Sequence, residues 1–135
     1  MEYGFYTTVR APFSEVVARV TAALKTEGFG ILSDIDLRKA MKEKLGEEVP
    51  EHRILGACNP PLAHRALQVE PNIGLLLPCN VTVRQDKGED VVVGFLNPEM
   101  MVEATQNPEL RTVAKEAVAR LKRVRDLLGA GSERL

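Results

Sequence analysis

RILGACNPPLAHRALQV, residues 53–69, contains the chain's most telling junction. The run from about His52 to Cys58 reads as a strand. Asn59-Pro60-Pro61 stops it, because proline cannot donate to a ladder yet suits the first turn of a helix. A helix is therefore predicted through about Val69, closed by Pro71. The dipeptide at the junction, Cys58-Asn59, returns as Cys79-Asn80 in IGLLLPCNV, residues 73–81. These are the only two cysteines, and each falls at or near a strand end. If the fold brings them together, they make its best polar and thiol site.

Upstream, Tyr3 to Val9 has the aromatic and β-branched content of a strand. Pro12 then suits a first helical turn. Val16, Val17, Val20 and Leu24 recur on one face, and Gly28 is placed to end the helix. Ile31 to Ile35 reads as a second strand, after which Asp36 can cap a short helix bearing Leu37, Met41 and Leu45 before Gly46. Downstream, Ile73 to Leu77 and Cys79 to Gln85 read as one strand interrupted at Pro78, which implies a bulge or an edge position. Asp86-Lys87-Gly88 turns the chain into a strand from Val91 to Leu96.

Asn-Pro occurs at 59–60, 97–98 and 107–108, each time as a helix starter: the asparagine oxygen can accept from an orphan amide and proline presets φ. The helix after Asn107 is the longest, with Leu110, Ala114, Ala117, Leu121, Val124 and Leu128 at alternating spacings of three and four and a stop near Gly129 and Gly131. Its apolar seam is read as covering the protein's own sheet. The basic side (Arg111, Lys115, Lys122, Arg125) is read as a solvated face. Met100 and Met101, between two helix starts, are read as core filler rather than a contact surface.

With 135 residues and 44% hydrophobic composition, the chain suits one domain spanning 1–135 with its own core. Eighteen basic residues against 19 acidic ones give a net charge of −1, which provides no field for a polyanion, so neither nucleic acid nor a membrane is an expected partner. The first residues lack the pattern of a signal peptide, and no apolar run approaches the ~20 residues of a spanning helix. A cytoplasmic location, with both cysteines as free thiols, is the expectation. The predicted architecture is α+β: a two-layer sandwich of a mixed sheet of about five strands, helices mainly on one face, and a long C-terminal helix.

The strings GFGIL (residues 28–32), RILGACNP (53–60) and IGLLLPCNV (73–81), in this order and spacing, resemble the bacterial and archaeal family catalogued as domain of unknown function 302, over roughly residues 6–128. The resemblance implies a compact α+β domain that associates as a homodimer. It implies no reaction, substrate or catalytic residue.

The expected function is a binding module, homodimeric as the resemblance implies, that accepts a small molecule near Cys58, Asn59, Cys79 and Asn80, the residues themselves suggesting asparagine amides that orient a ligand in a mostly apolar setting. Two buried thiols serving only as core filler is the plainer alternative. A thiol enzyme is another: a helix starting at Pro60 could direct its positive end toward Cys58, and His64 on that helix is the weak candidate for a base. No short chelating pair anchors a metal and no glycine-rich phosphate loop is in the right order, so no metal or cofactor is expected. A purely structural docking domain is the third reading.

Overall fold

From the amino terminus the chain forms β1 (Gly4–Arg10), α1 (Phe13–Thr26), β2 (Gly30–Asp36), α2 (Leu37–Leu45), β3 (His52–Cys58), α3 (Pro60–Val69) and a 3-10 turn (Pro71–Leu76). It continues through β4 (Cys79–Gln85), β5 (Asp90–Leu96), α4 (Met100–Thr105), a second 3-10 turn (Pro108–Leu110) and α5 (Arg111–Glu133). The structure, a computed structural model, describes residues 1–133.

The five strands make one sheet in the order β1-β5-β4-β3-β2. The α+β class, five strands and long C-terminal helix agree with the expectation, but the sheet is not mixed: every pairing is antiparallel. The reason lies in two connections. β1 and β2 run the same way but occupy opposite edges, so they never pair. The excursion over residues 59–78 returns to the place it left, because Cys79 sits opposite Ala57 in the register of β3 and β4. α3 therefore belongs to an extended hairpin connection rather than to a parallel crossover.

Alternation along the strands gives the sheet one covered and one uncovered face. On the covered face Phe5 is paired with Phe95, Phe95 with Val81 and Val81 with Leu55. Val16, Val20 and Leu24 of α1 and Leu121, Val124 and Leu128 of α5 pack on this surface. Each side chain fully removed from water there contributes roughly 1.5–3 kcal/mol before entropy is counted. A second core joins Leu62 and Ala66 of α3, Ile73, Met101, Leu110 and the first turns of α5. All six seam positions expected from Leu110 to Leu128 are buried, and α5 serves both cores.

Asn59 caps α3 as expected and Asn107 caps the 3-10 turn that leads into α5, whereas Asn97 only makes a turn ahead of α4, whose N-cap is Glu99 without a side-chain bond. Each asparagine also ties down a distant segment. Oδ1 of Asn59, Asn97 and Asn107 accepts from the backbone N–H of Leu62, Glu99 and Glu109. Their Nδ2 groups donate to the carbonyls of Glu2 (from Asn97), Glu27 (from Asn59) and Val69 (from Asn107). Asp36 caps α2 through Lys39 N–H, and Gly28, Gly46 and Gly88 all have the positive φ that their turns require.

Three local expectations are corrected. Ile73 to Leu77 is not a strand: Pro71 opens a 3-10 turn that sends Ile73 into the second core and leaves Leu75 88% exposed. β4, which starts only after Pro78, is the central strand rather than an edge, so the proline precedes the ladder without interrupting it. The last helix does not stop near Gly129 but continues to Glu133. A Cβ at Gly129 would lie 3.2 Å from Thr7 Oγ1, so the glycine lets the helix lie close on β1.

Candidate functional site

The end of β3 and the start of β4 are neighbours: Ala57 sits opposite Cys79, and Cys58, one residue on, sits opposite Gly30 of β2. Both cysteines line one cavity, together with Asn59, Phe29, Met101 and Ala117, at the seam between the two cores. The cavity measures about 30 Å³. That is room for a water or two and not for an organic ligand. Cys58 is half-buried, while Cys79 is 8% exposed, and both are free. Burial, with Cys58 nearby, pushes the Cys79 thiol up to about 11. Cys79 is thus a protonated, poorly nucleophilic sulfur at neutral pH.

Asn59 is the one buried polar residue among the described residues, at 7% exposure. Its polar atoms are committed, the oxygen to Leu62 N–H at 3.3 Å and the amide to the Glu27 carbonyl at 3.2 Å. The same carbonyl accepts from Arg120 Nη1 at 3.1 Å, and Arg123 holds the Glu27 carboxylate. Asn59 therefore joins the end of α1 to the start of α3, beside α5.

The start of α3 has no free donors for an anion. Pro60 and Pro61 carry no N–H, Leu62 N–H goes to the Asn59 side chain, and Ala63 N–H goes to the Asn59 carbonyl at 2.9 Å. A helix terminus so occupied supplies neither an oxyanion hole nor hydrogen bonds to a Cys58 thiolate. His64 lies on the exposed side of α3 and does not line the cavity, so the structure does not bring the Cys58 and His64 pair together.

Asn80 is placed elsewhere. It is exposed on the uncovered sheet face, in a shallow groove with Tyr3, Tyr6, Thr82 and Leu96. On that face one row crosses all five strands, Tyr6 to Gly94, Thr82, Ile54 and Ile35, with no charged member. The neighbouring row runs from Thr8 through Val92 and Arg84 to His52. Burial, and then the Arg84 charge, holds the His52 imidazole below its ordinary value.

Of the four residues proposed from sequence, Cys58, Asn59 and Cys79 line one cavity, and Asn80 points to the uncovered face of the sheet. Met101 joins the cavity from α4, a placement that no local pattern announces because it depends on how α4 docks against α5. Among the described residues, no group of three or more His, Cys, Asp or Glu side chains is placed to hold a metal ion, and no helix is long and apolar enough to cross a membrane.

A crystal structure of an uncharacterized conserved protein DUF302 from Bacillus stearothermophilus is similar in fold, with a TM-score of 0.88, 29% sequence identity, and coverage of 95% of this chain and 99% of that one. No curated protein matches. The family described as "Domain of unknown function DUF302" matches residues 5–128, a span that holds both Cys-Asn dipeptides and the apolar seam of α5, and the chain belongs to that family.

Proposed function

We propose that this protein is a cytoplasmic binding domain whose ligand is very small and engages the thiol cavity, and that it works as a homodimer. The observation that carries the reading is the convergence of Cys58, Asn59 and Cys79 on one cavity of about 30 Å³. Two thiols left free in a chain with a strand-end pair fit a reducing compartment. The enzyme alternative has less support, since His64 is not at the cavity and α3 offers no free donors to a developing oxyanion.

Self-association is supported by the uncovered sheet face. Five strands of seven residues present about 500 Å² in projection, the same order as the ~800 Å² per partner of a standard interface once side-chain relief is added. A second copy suits it because a twofold axis lays the uncharged row of Tyr6, Thr82, Ile54 and Ile35 against its own copy.

Native against denaturing mass spectrometry of the freshly purified chain tests the binding reading. A bound mass that is lost on denaturation, and is missing from a folded Cys58→Ala/Cys79→Ala variant, is expected. A clean mass in the wild type, with Cys58 alkylated at the same rate before and after incubation with cell extract metabolites, would sink it. Light scattering tests the dimer: the wild type should give twice the chain mass and Ile54→Lys the monomer mass, and a monomeric wild type rejects self-association.

A further inference from the structure

α4 and the first turns of α5 border a groove of about 370 Å³ that shares no lining residue with the thiol cavity. A groove of that size admits a small organic molecule, where the thiol cavity does not. Its two sides carry opposite charge. Glu99, the N-cap of α4, and Glu103 stand four residues apart on one side, and Arg111 and Lys115 stand four apart on α5. Half-buried Val102 and buried Ala114 add apolar surface to the lining. The two sides do not pair with each other. Among the described residues, Glu99, Glu103, Arg111 and Lys115 take part in no ion pair, and Arg111 is the one arginine left without one. α5 opens on Arg111 and has no acid in its first turn. That cation therefore sits at the positive end of the helix dipole, where local electrostatics disfavours it. A charge set against local preference and left unpaired, beside a groove with carboxylates on its other side, marks a site rather than a packing contact.

We propose that this groove binds an ammonium-carboxylate zwitterion with an apolar side chain, supplied by a free amino acid of the leucine type or by a short peptide of such residues. Arg111 and Lys115 donate to the carboxylate, and Glu99 and Glu103 accept from the ammonium, so that each bond is charge-assisted. Val102 and Ala114 take the apolar side chain. A ligand with a single charge gains on one side of the groove and is repelled by the other, so the arrangement selects for both charges together. Arg111, Lys115 and Glu103 are exposed, and water keeps each contact modest. The groove uses neither cysteine and no residue of the sheet, so the proposal stands or falls apart from the thiol-cavity and dimer readings.

Its test is a titration of the isotope-labelled full chain, followed by amide NMR shifts, with leucine, the dipeptide Leu-Leu, isocaproate and isoamylamine. The last two are leucine without its ammonium and leucine without its carboxylate. Saturable shifts at residues 99–103 and 111–115 are expected for leucine or the dipeptide, and the tighter of the two names the source. Isocaproate and isoamylamine should each bind at least about tenfold more weakly. Arg111→Gln and Glu103→Gln should each weaken the better ligand by about fivefold or more, with a dispersed spectrum showing that the variant is folded. Lys122→Gln, exposed on α5 outside the groove lining, should bind as the wild type does. Four results overturn the proposal: no saturable shift with either zwitterion up to about 50 mM, a single-charge analogue that binds as tightly as the zwitterion, unchanged affinity in the folded Arg111→Gln or Glu103→Gln variant, or shifts confined to other parts of the chain.

Discussion

Cys58, the last residue of β3, and Cys79, the first of β4, line the same cavity although a helix and a 3-10 turn separate them in the chain. Antiparallel pairing of the two strands is the cause: Ala57 opposite Cys79 brings the end of one strand to the start of the next. The unequal exposure of the two sulfurs has a direct chemical consequence.

With iodoacetamide at pH 8, the native chain should take up one label rapidly, at Cys58. A thiol titrating near 11 is only ~0.1% thiolate at that pH, and Cys79 is also buried. Peptide mapping should find the second label only after denaturation, and equal labelling of both residues in the native chain would contradict the buried placement of Cys79.

The two asparagines of the repeated dipeptide should separate in a denaturation experiment. Asn59→Ala removes a helix cap and strands the Leu62 N–H, with an expected loss of about 1–3 kcal/mol. Asn80→Ala, at an exposed position, should stay within about 0.5 kcal/mol of the wild type. Similar losses for both would show that Asn80 has a structural partner.

Gly56 is sterically required where β3 passes Pro78. A Cβ there would lie 2.8 Å from Pro78 Cγ and still nearer the Ser33 hydroxyl. Serine can rotate away but the proline ring cannot, so Gly56→Ala should cost about 1–3 kcal/mol. Gly30→Ala, with nothing within 4 Å of the new methyl, is the control and should leave the urea midpoint nearly unchanged.

Acid should weaken the junction of α1 and α5. The Arg123 hydrogen bond holds the Glu27 carboxyl below its ordinary 4.5, against the opposing effect of burial, with the Arg123 and Arg120 charges adding to it. A folded-state value below the unfolded one means that the unfolded chain binds more protons as pH falls through 4.5, so this contribution is present above 4.5 and lost below it. Urea midpoints measured from pH 7 to 3 should fall less steeply in Arg123→Gln than in the wild type, and high salt should shrink the difference because the pair is partly exposed.

His52 gives the same sign in a higher window. Its imidazole is held below 6.5, mainly by burial, so stability should decline as pH drops through 6.5. His52→Gln should flatten the midpoint profile there, and an unchanged slope would remove His52 as its source.

Local chemistry was legible in the chain. Asn59 and Asn107 cap where their Asn-Pro pairs predict, Asp36 and Gly46 bound α2, and the spacing of Leu110 through Leu128 identifies the buried stripe that continues into α5. Each of these signals acts within a turn or two, through a side-chain oxygen, a fixed φ or a helical period. Ile73 to Leu77 misled because a short apolar run fits a strand and a turn equally, and Pro71 tipped it to the turn. The antiparallel register that seats Ala57 opposite Cys79, the separation of Asn59 from Asn80 onto opposite sides of the sheet, and the arrival of Met101 at the cavity that both cysteines line all depend on segments distant in the chain. Such contacts form through the joint burial of two cores, a long-range condition that no local window of residues carries.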